Sequence, residues 1–550
     1  MDSALKEVGI PSSSDLREAL QNSNDPMQAI EDFQNQNAMV LPSLRAALSL
    51  LDLHGIRRST FHQCLIEELK EKLINKIRNL GDSEDEQVCK QLQQIVAKSW
   101  PIVRIPILQP IVMAALRQLG SRTEPKILNE IVNSPDLYAV APVELKRAVW
   151  TKDEERFGEE IYPLLSSYTK WCDEVLSSTV CVLTQNPKTR REPLAEVVKM
   201  LGDNIQLYDQ TLTLLRSLYV RTKSPHYCTL RGQLLMALHD NDRSLIVSRD
   251  PCHKFAWCVD ACVRERYVSD KRCAELIAFV DSVRRGHEEV IADLALVLAD
   301  PYCLHSLAST VLTVLNSQLQ SCSLPREDNH ILSLIRLLLL AMNAWRLLSE
   351  EEAMVVNPDP SIIVHFLPMI QVVCADDEFR LLKSKYLHST VNPDNIPAVL
   401  VAAANAEPLC SLFLLHLAVF QAERQDSQGA ARTVCILSKC GNDCFKASWL
   451  HVLTCALAKN SDVLACERRF QQIVEDFYLA KKDAGSEFDH VLMQLCSLLL
   501  KVGHRAPSAR LAEVIDIILS KVSDTKIKEQ LEGLRSKISI EVTESKSPTV

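Results

Sequence analysis

The sequence predicts an all-α fold, an irregular solenoid of antiparallel helix pairs, and three observations carry that prediction. Glycine is scarce, 13 in 550 residues, against a usual share of about 7%. Glycine supplies the left-handed backbone of tight hairpins and phosphate-cradling loops, so a sheet-rich fold and a nucleotide-binding loop are both disfavoured. Apolar residues recur with the 3.6-residue period of a helix wherever a period is clear, and sustained strand-like alternation is hard to find. Turn-forming breaks return every few tens of residues, about the length of a helical pair, and each pair must bury its apolar face against the next. The arrangement is HEAT-like in kind, although no repeat consensus names a repeat class. Two or three compact helical bundles are the alternative architecture.

In chain order, the candidate helices are 65–77, 212–220, 331–348 and 447–458. Near the C-terminal end, Leu492, Leu495, Leu498, Leu499 and Val502 form one stripe. Leu511, Val514, Ile515 and Ile518 form the next, at i, i+3, i+4 and i+7 on one helix face. Breaks fall at 81–86, 120–125, 186–193, 239–250, 324–329, 357–360, 392–397 and 483–487. Gly503 with Pro507 closes one helical stretch and Pro408 opens another. The polar tail 541–550 is expected to be disordered.

Composition narrows the function classes. Hydrophobic residues make up 47% and charged residues 24%, a folded rather than a disordered mixture. With 61 basic and 70 acidic side chains the formal charge is -9. A protein that grips nucleic acid alone is usually strongly basic, so an RNA role here needs a local patch or a partner's charge. The 19 cysteines are odd in number and scattered through apolar helical stretches, where free cysteine acts as a small hydrophobe. Residues 1–10 carry Asp2 and Glu7 and lack the apolar core of a secretory leader. The longest apolar stretch, 409–420, contains His416 and is short of the roughly 20 residues a bilayer requires. These features lead us to expect a reducing intracellular compartment, cytosol or nucleus.

No phosphate loop, dinucleotide fingerprint, nucleophile elbow or metalloprotease helix motif occurs. His287-Glu288 starts like the last of these, but Ile291 stands where the second histidine is needed, leaving a solvated charged turn. The most chemically suggestive cluster is Asp250-Pro251-Cys252-His253 with Cys258 and Cys262. A zinc shell of Cys252, His253, Cys258 and Cys262 is one reading, since zinc takes four converging thiolates or imidazoles. The chain has no Cys-x-x-Cys pair, and Phe255, Trp257 and Val259 interleave the cluster as core residues. Buried structural thiols without a metal are therefore the preferred reading. Lys188-Thr189-Arg190-Arg191 lies in a proline-bounded loop. Lys188, Arg190 and Arg191 are the candidate contacts to RNA or an acidic partner, set against the plainer reading of a solvated loop. Arg284-Arg285 is a second, smaller basic pair. No aromatic platform flanks either for base stacking.

A series of strings adds a resemblance. They include Leu51-Asp52-Leu53-His54-Gly55, Phe61-His62-Gln63, Leu108-Gln109-Pro110 and Leu207-Tyr208-Asp209. They continue with His226-Tyr227-Cys228-Thr229-Leu230-Arg231 and run through Asp250-Pro251-Cys252-His253-Lys254-Phe255-Ala256-Trp257-Cys258. Together these resemble the negative elongation factor B family, also called the cofactor of BRCA1 family. The resemblance covers about 41–377 in the family's order and then fades to general helical character. We accordingly divide the chain into a helical-repeat region 1–377, a second helical-repeat region 378–540 and the tail 541–550. The resemblance implies a nuclear, non-catalytic scaffold without cofactors, one of several components of the negative elongation factor complex. It would hold the RNA-binding negative elongation factor E on one side and join negative elongation factors C/D and A on the other. RNA would then be bound mainly by the assembled complex, which keeps RNA polymerase II paused near promoters. Two other classes share this composition: a helical adaptor of transport or vesicle-coat work, and a zinc-binding enzyme centred on Cys252–Cys262.

Overall fold

The computed structural model describes residues 58–80, 85–177, 192–222, 224–283, 288–321, 328–344, 362–374, 396–440, 509–520 and 525–544, with a few isolated positions besides. Among the described residues every regular element is a helix and none is a strand. The chain divides into two compact units, Met1–Phe157 and Gly158–Val550.

In the first unit the helices are α1 (Arg58–Arg78), α2 (Glu86–Ser99), α3 (Gln109–Leu119), α4 (Pro125–Asn133), α5 (Pro135–Val140) and α6 (Val143–Trp150). α3 is the central element and packs on α1, α2 and α6. Its Ile111, Val112, Ala115, Leu116 and Leu119 close a core with Leu92, Val96, Val103 and Leu145. The ends are set by local chemistry. The Asp85 carboxylate accepts the Gln87 N–H at 2.9 Å and caps α2. Gly120 ends α3 at φ 49°, a left-handed backbone that glycine adopts without cost.

α7 (Glu154–Ser177) carries the chain into the second unit. There follow α8 (Glu192–Leu201), α9 (Ile205–Thr222), α10 (His226–Asp240), α11 (Ser244–Arg249), α12 (His253–Glu265), α13 (Asp270–Val283), α14 (Glu288–Leu298), α15 (Pro301–Ser321) and α16 (Asn329–Met342). A π-helical turn, Ile362–Phe366, leads into α17 (Leu367–Cys374), then α18 (Ile396–Ala406), α19 (Pro408–Glu423) and α20 (Ser427–Ser438). The last two are α21 (Ala509–Leu519) and α22 (Thr525–Glu544). Packing runs mainly between helices close in sequence, with α10 against α8, α9, α11, α12 and α14. That pattern is compatible with stacked helical pairs.

Two helices depart from the one-sided burial such pairs predict. α10 buries an unbroken run from Tyr227 to Arg231 and another from Leu234 to Leu238. α19 buries every residue from Leu409 to Ala422 and is covered by α15, α16, α18 and α20. A helix apolar on all sides has to lie inside, and the 409–420 stretch does.

Several expectations change in detail. The break at 239–250 contains the short helix α11, because its Leu245-Ile246-Val247 centre buries Ile246. The helix expected over 331–348 stops at Met342, where Asn343 caps it and the side-chain amide bonds the Leu339 carbonyl at 2.9 Å. Glu288, read as part of a solvated turn, opens α14. α22 runs to Glu544, past the boundary drawn at 541, because Leu531, Leu534 and Ile538 anchor it on α21. The stripe Leu511, Val514, Ile515 and Ile518 is buried as expected. Most of 447–458 and 492–502, and the boundary at 377, lie outside the described residues.

Candidate functional site: a polar clasp around a buried helix

The strings that carry the family resemblance lie far apart in sequence, and the fold brings three of them together. α9 contributes Tyr208, α10 contributes Arg231, and the turn after α11 contributes Asp250. The Arg231 side chain is 0% exposed and that of Asp250 2%. Arg231 Nη2 donates to Asp250 Oδ2 at 2.9 Å and Nη1 donates to the Tyr208 hydroxyl at 3.0 Å. The Tyr208 hydroxyl donates in turn to Asp250 Oδ2. Asp250 Oδ1 accepts the Cys252 N–H at 2.7 Å. A cation buried this deeply is tolerated only when paired and hydrogen-bonded.

The electrostatics follow from that closure. Burial raises the Tyr208 phenol well above its ordinary value, with the Asp250 charge adding to the rise against Arg231. For Asp250, burial pushes upward, but Arg231, the Tyr208 hydroxyl and the Cys252 N–H together hold the carboxyl below its ordinary value. Arg231 stays a cation, its charge favoured by the Tyr208 and Asp250 neighbours against burial.

Further polar ties hold α10 and its neighbours. Arg216 on α9 grips Asp293 on α14 with two bonds, Nε to Oδ1 at 2.9 Å and Nη2 to Oδ2 at 2.7 Å. Thr229 on α10 donates to Asp300 Oδ1 at 2.8 Å, and burial pushes the Asp300 carboxyl up to about 6. The Tyr168 hydroxyl on α7 donates to Gln233 Oε1 at 2.8 Å. These bonds face inward and join helices; they do not converge on an open cleft.

The cysteine cluster takes a different form from a metal shell. Cys252 Sγ points to the Val290 carbonyl at 4.0 Å, while His253 Nε2 faces His239 Nδ1 at 3.2 Å. Cys258 and Cys262 are free thiols one turn apart on α12, their side chains hydrogen-bonded to each other. Among the described residues no group of three or more histidine, cysteine or acidic side chains is placed to hold a metal ion. Burial pushes the Cys252 thiol up to about 12, the behaviour of an unreactive core residue. Phe255 and Val259 are buried, but Trp257 is 50% exposed. The expectation that all three are core fails at Trp257, which shares the outer face of α12 with exposed Lys254 and Arg264. Cys258, expected in the core, is half-buried near that face.

A second histidine pair, His305 on α15 and His416 on α19, meets Nδ1 to Nδ1 at 3.1 Å. Burial lowers both, His305 to about 4. Ser309 lies 3.4 and 3.5 Å from the His305 nitrogens, longer than a working nucleophile–base bond. The basic loop with Lys188, Arg190 and Arg191 lies outside the described residues, as does Arg284.

With helices as its only regular elements among the described residues, and buried polar side chains locking those helices together, the chain is of the all-α class. The family model described as Cofactor of BRCA1 (COBRA1) matches residues 106–425, and the chain belongs to that family. It is 36% identical to Negative elongation factor B of Drosophila melanogaster over 531 residues, 93% of this chain and 88% of the relative. It is 34% identical to Negative elongation factor B of Mus musculus and of Homo sapiens, over 93% of this chain and 90% of each relative. These matches extend past residue 377, so the likeness is not confined to the region in which the motif strings were recognised.

Proposed function

We propose that this chain is the B component of a negative elongation factor complex, a nuclear, non-catalytic scaffold. It acts with its partner proteins to hold RNA polymerase II paused near promoters. The observation that carries the reading is the match to proteins of that name over nearly the whole chain at 34–36% identity. The structure supports it in kind: the buried Arg231–Asp250 pair and the Thr229–Asp300 bond are used in closing α10 against its neighbours, which favours a rigid body over a reaction centre. In this reading the chain holds negative elongation factor E on one side. On the other it joins negative elongation factor C/D and, through it, negative elongation factor A. In the same reading the 378–540 region is a second helical-repeat region. The charge of -9 assigns RNA affinity mainly to the assembled complex, with Lys188, Arg190 and Arg191 as an auxiliary patch.

The test is reconstitution. The full chain is mixed with purified negative elongation factors A, C/D and E, and the product is added to transcribing RNA polymerase II with its companion elongation factor. A stoichiometric complex that lengthens promoter-proximal pausing is expected, with the mixture lacking this chain failing to form it. Failure of the full mixture to assemble, or a complex that leaves pausing unchanged, would overturn the reading.

A further inference from the structure

In the second unit the ends of two helices meet the flank of a third around a cleft of about 160 Å³, a volume in which a benzene-sized molecule fits. The end of α12 lines it with Val263 and Arg266, and the end of α19 with Phe420, Glu423 and Arg424. α15 adds Tyr302, His305 and Ser309. The lining thus joins an apolar part, Val263 and Phe420, to a charged part in which two guanidiniums stand against one carboxylate.

The backbone fixes where both arginines start. Arg266 caps α12 in the left-handed conformation, φ 55°, with its N–H on the Cys262 carbonyl. Arg424 caps α19 with its N–H on the Phe420 carbonyl at 3.2 Å. Its guanidinium carbon lies over the Phe420 ring, 4.1 Å from the centroid. A guanidinium stacked on a ring keeps its N–H edge for hydrogen bonds. With five N–H donors each, the arginines can hold a protein partner and an oxyanion together.

The buried histidine pair supplies one donor more. His305 Nδ1 and His416 Nδ1 are 3.1 Å apart, so one of them donates to the other. His416 Nε2 is buried without a hydrogen-bond partner, and a buried N–H left without an acceptor is rare. The His416 proton therefore sits on Nδ1 and is donated to His305, whose own proton is left on Nε2. That Nε2 is 3.4 Å from the Ser309 hydroxyl, which shares the cleft lining. Burial and the Arg266 charge hold His305 down to about 4, so at neutral pH it donates as an uncharged ring.

We propose that this cleft binds a small phosphate ester. Its phosphoryl group would lie on the guanidiniums of Arg266 and Arg424 and the His305 N–H, and its organic part on Val263 and Phe420. Planar guanidiniums match phosphoryl oxygens two at a time, and the two cations exceed Glu423 by one charge, the sign a phosphate needs. The space admits a compact molecule and not an extended chain, which selects a free ester over a phosphate carried on a protein. A ligand that touches α12, α15 and α19 at once binds only the folded state and stabilises it. The site belongs to this chain alone, so it stands or falls separately from the assembly.

The experiment titrates the full chain with glycerol 3-phosphate by calorimetry at constant ionic strength. Inorganic phosphate and glycerol serve as the two halves of the probe, a phosphoserine peptide as the protein-borne form, and melting temperature is recorded throughout. The variant is Arg266→Gln with Arg424→Gln; both side chains are exposed, so without ligand it should melt with the wild type. Saturable binding of glycerol 3-phosphate by the wild type is expected, raising its melting temperature and exceeding inorganic phosphate in affinity, with glycerol unbound. The double variant should bind the ester about 100-fold more weakly, roughly tenfold for each charge-assisted contact. If it melts below the wild type, the two single replacements are titrated instead, each expected to bind about tenfold more weakly. No saturable binding by the wild type, or variants that bind as it does, overturns the site. Inorganic phosphate bound as tightly as the ester shows an adventitious ion only. Glycerol bound as tightly as the ester removes the role of charge and overturns the proposal too. A phosphoserine peptide that binds more tightly than the ester overturns the assignment to a small molecule.

Discussion

Replacing Arg231 with methionine removes the cation of the clasp while keeping an unbranched side chain of similar reach on α10. Asp250, with a side chain 2% exposed, then keeps the Tyr208 hydroxyl and the Cys252 N–H but has no counter-charge. Breaking a buried ion pair from one side costs about 3–5 kcal/mol. The second unit spans 158–550, and at about 2.1 cal/mol/K per residue its unfolding entropy is roughly 0.8 kcal/mol/K. The loss then corresponds to a melting temperature lower by about 4–6 °C, readable by calorimetry. The sign of the pH dependence is the sharper signature. In the wild type the Asp250 carboxyl is held below its ordinary value. Its contribution is therefore present above the usual carboxylate range, near 3.9, and is lost as pH falls through the folded value. In the variant burial dominates and the carboxyl is pushed up, so protonation relieves it. The gap between the two proteins should narrow from pH 7 towards pH 4. Adding Asp250→Asn to the variant should recover part of the lost stability at pH 7. A wild-type melting temperature in Arg231→Met, or a gap that does not change with pH, would refute the clasp.

Asp300 titrates in the opposite sense: its folded value is raised to about 6, so its stability is fully present below the unfolded value and lost as pH rises through 6. Asp300→Asn keeps an oxygen for Thr229 and should raise stability at pH 7.5 by up to about 2–3 kcal/mol, with no gain at pH 4, in pH-dependent denaturant titrations. Ile515→Asp places a carboxylate at a fully buried position on α21 and should cost several kcal/mol, seen as loss of the α21–α22 pair to limited proteolysis. Asp328→Ala removes the acceptor of the His330 and Ile331 N–H groups at 2.8 and 3.3 Å and should cost about 1 kcal/mol by thermal denaturation. Lys188, Arg190 and Arg191 replaced together by alanine should leave assembly of the complex intact while its RNA binding weakens modestly with a shallower salt dependence; loss of assembly would make that loop an interface.

Helical class was legible because it depends on counts and periods that survive without tertiary information. The stripe through Ile515 is local, so its burial could be read from spacing alone. The clasp was not read, although a signal existed. Arg231 sits among Leu230, Leu234, Leu235 and Leu238 on a helix with no polar face wide enough to expose it, and a cation so placed demands a partner. Which acid supplies it depends on how α11 turns, and no period encodes that. Trp257 misled in the other direction: a tryptophan between buried Phe255 and Val259 looks internal until the helix is given its angle against α10.

The enclosure of α19 has a consequence for how the protein is made. Helices α15, α16 and α18 leave the ribosome before it, but α20, which seals its remaining side, follows it. Between the two events a helix with Leu412, Phe413, Leu414, Leu415, Leu417 and Val419 spread around its circumference has one flank in water. At roughly 5–20 residues per second the interval is on the order of a second, long beside the microseconds in which a helix forms. A nascent chain halted with Ser427 still inside the exit tunnel and Glu423 outside it would show that flank to any chaperone able to hold an apolar helix, and release it once Ser438 emerged.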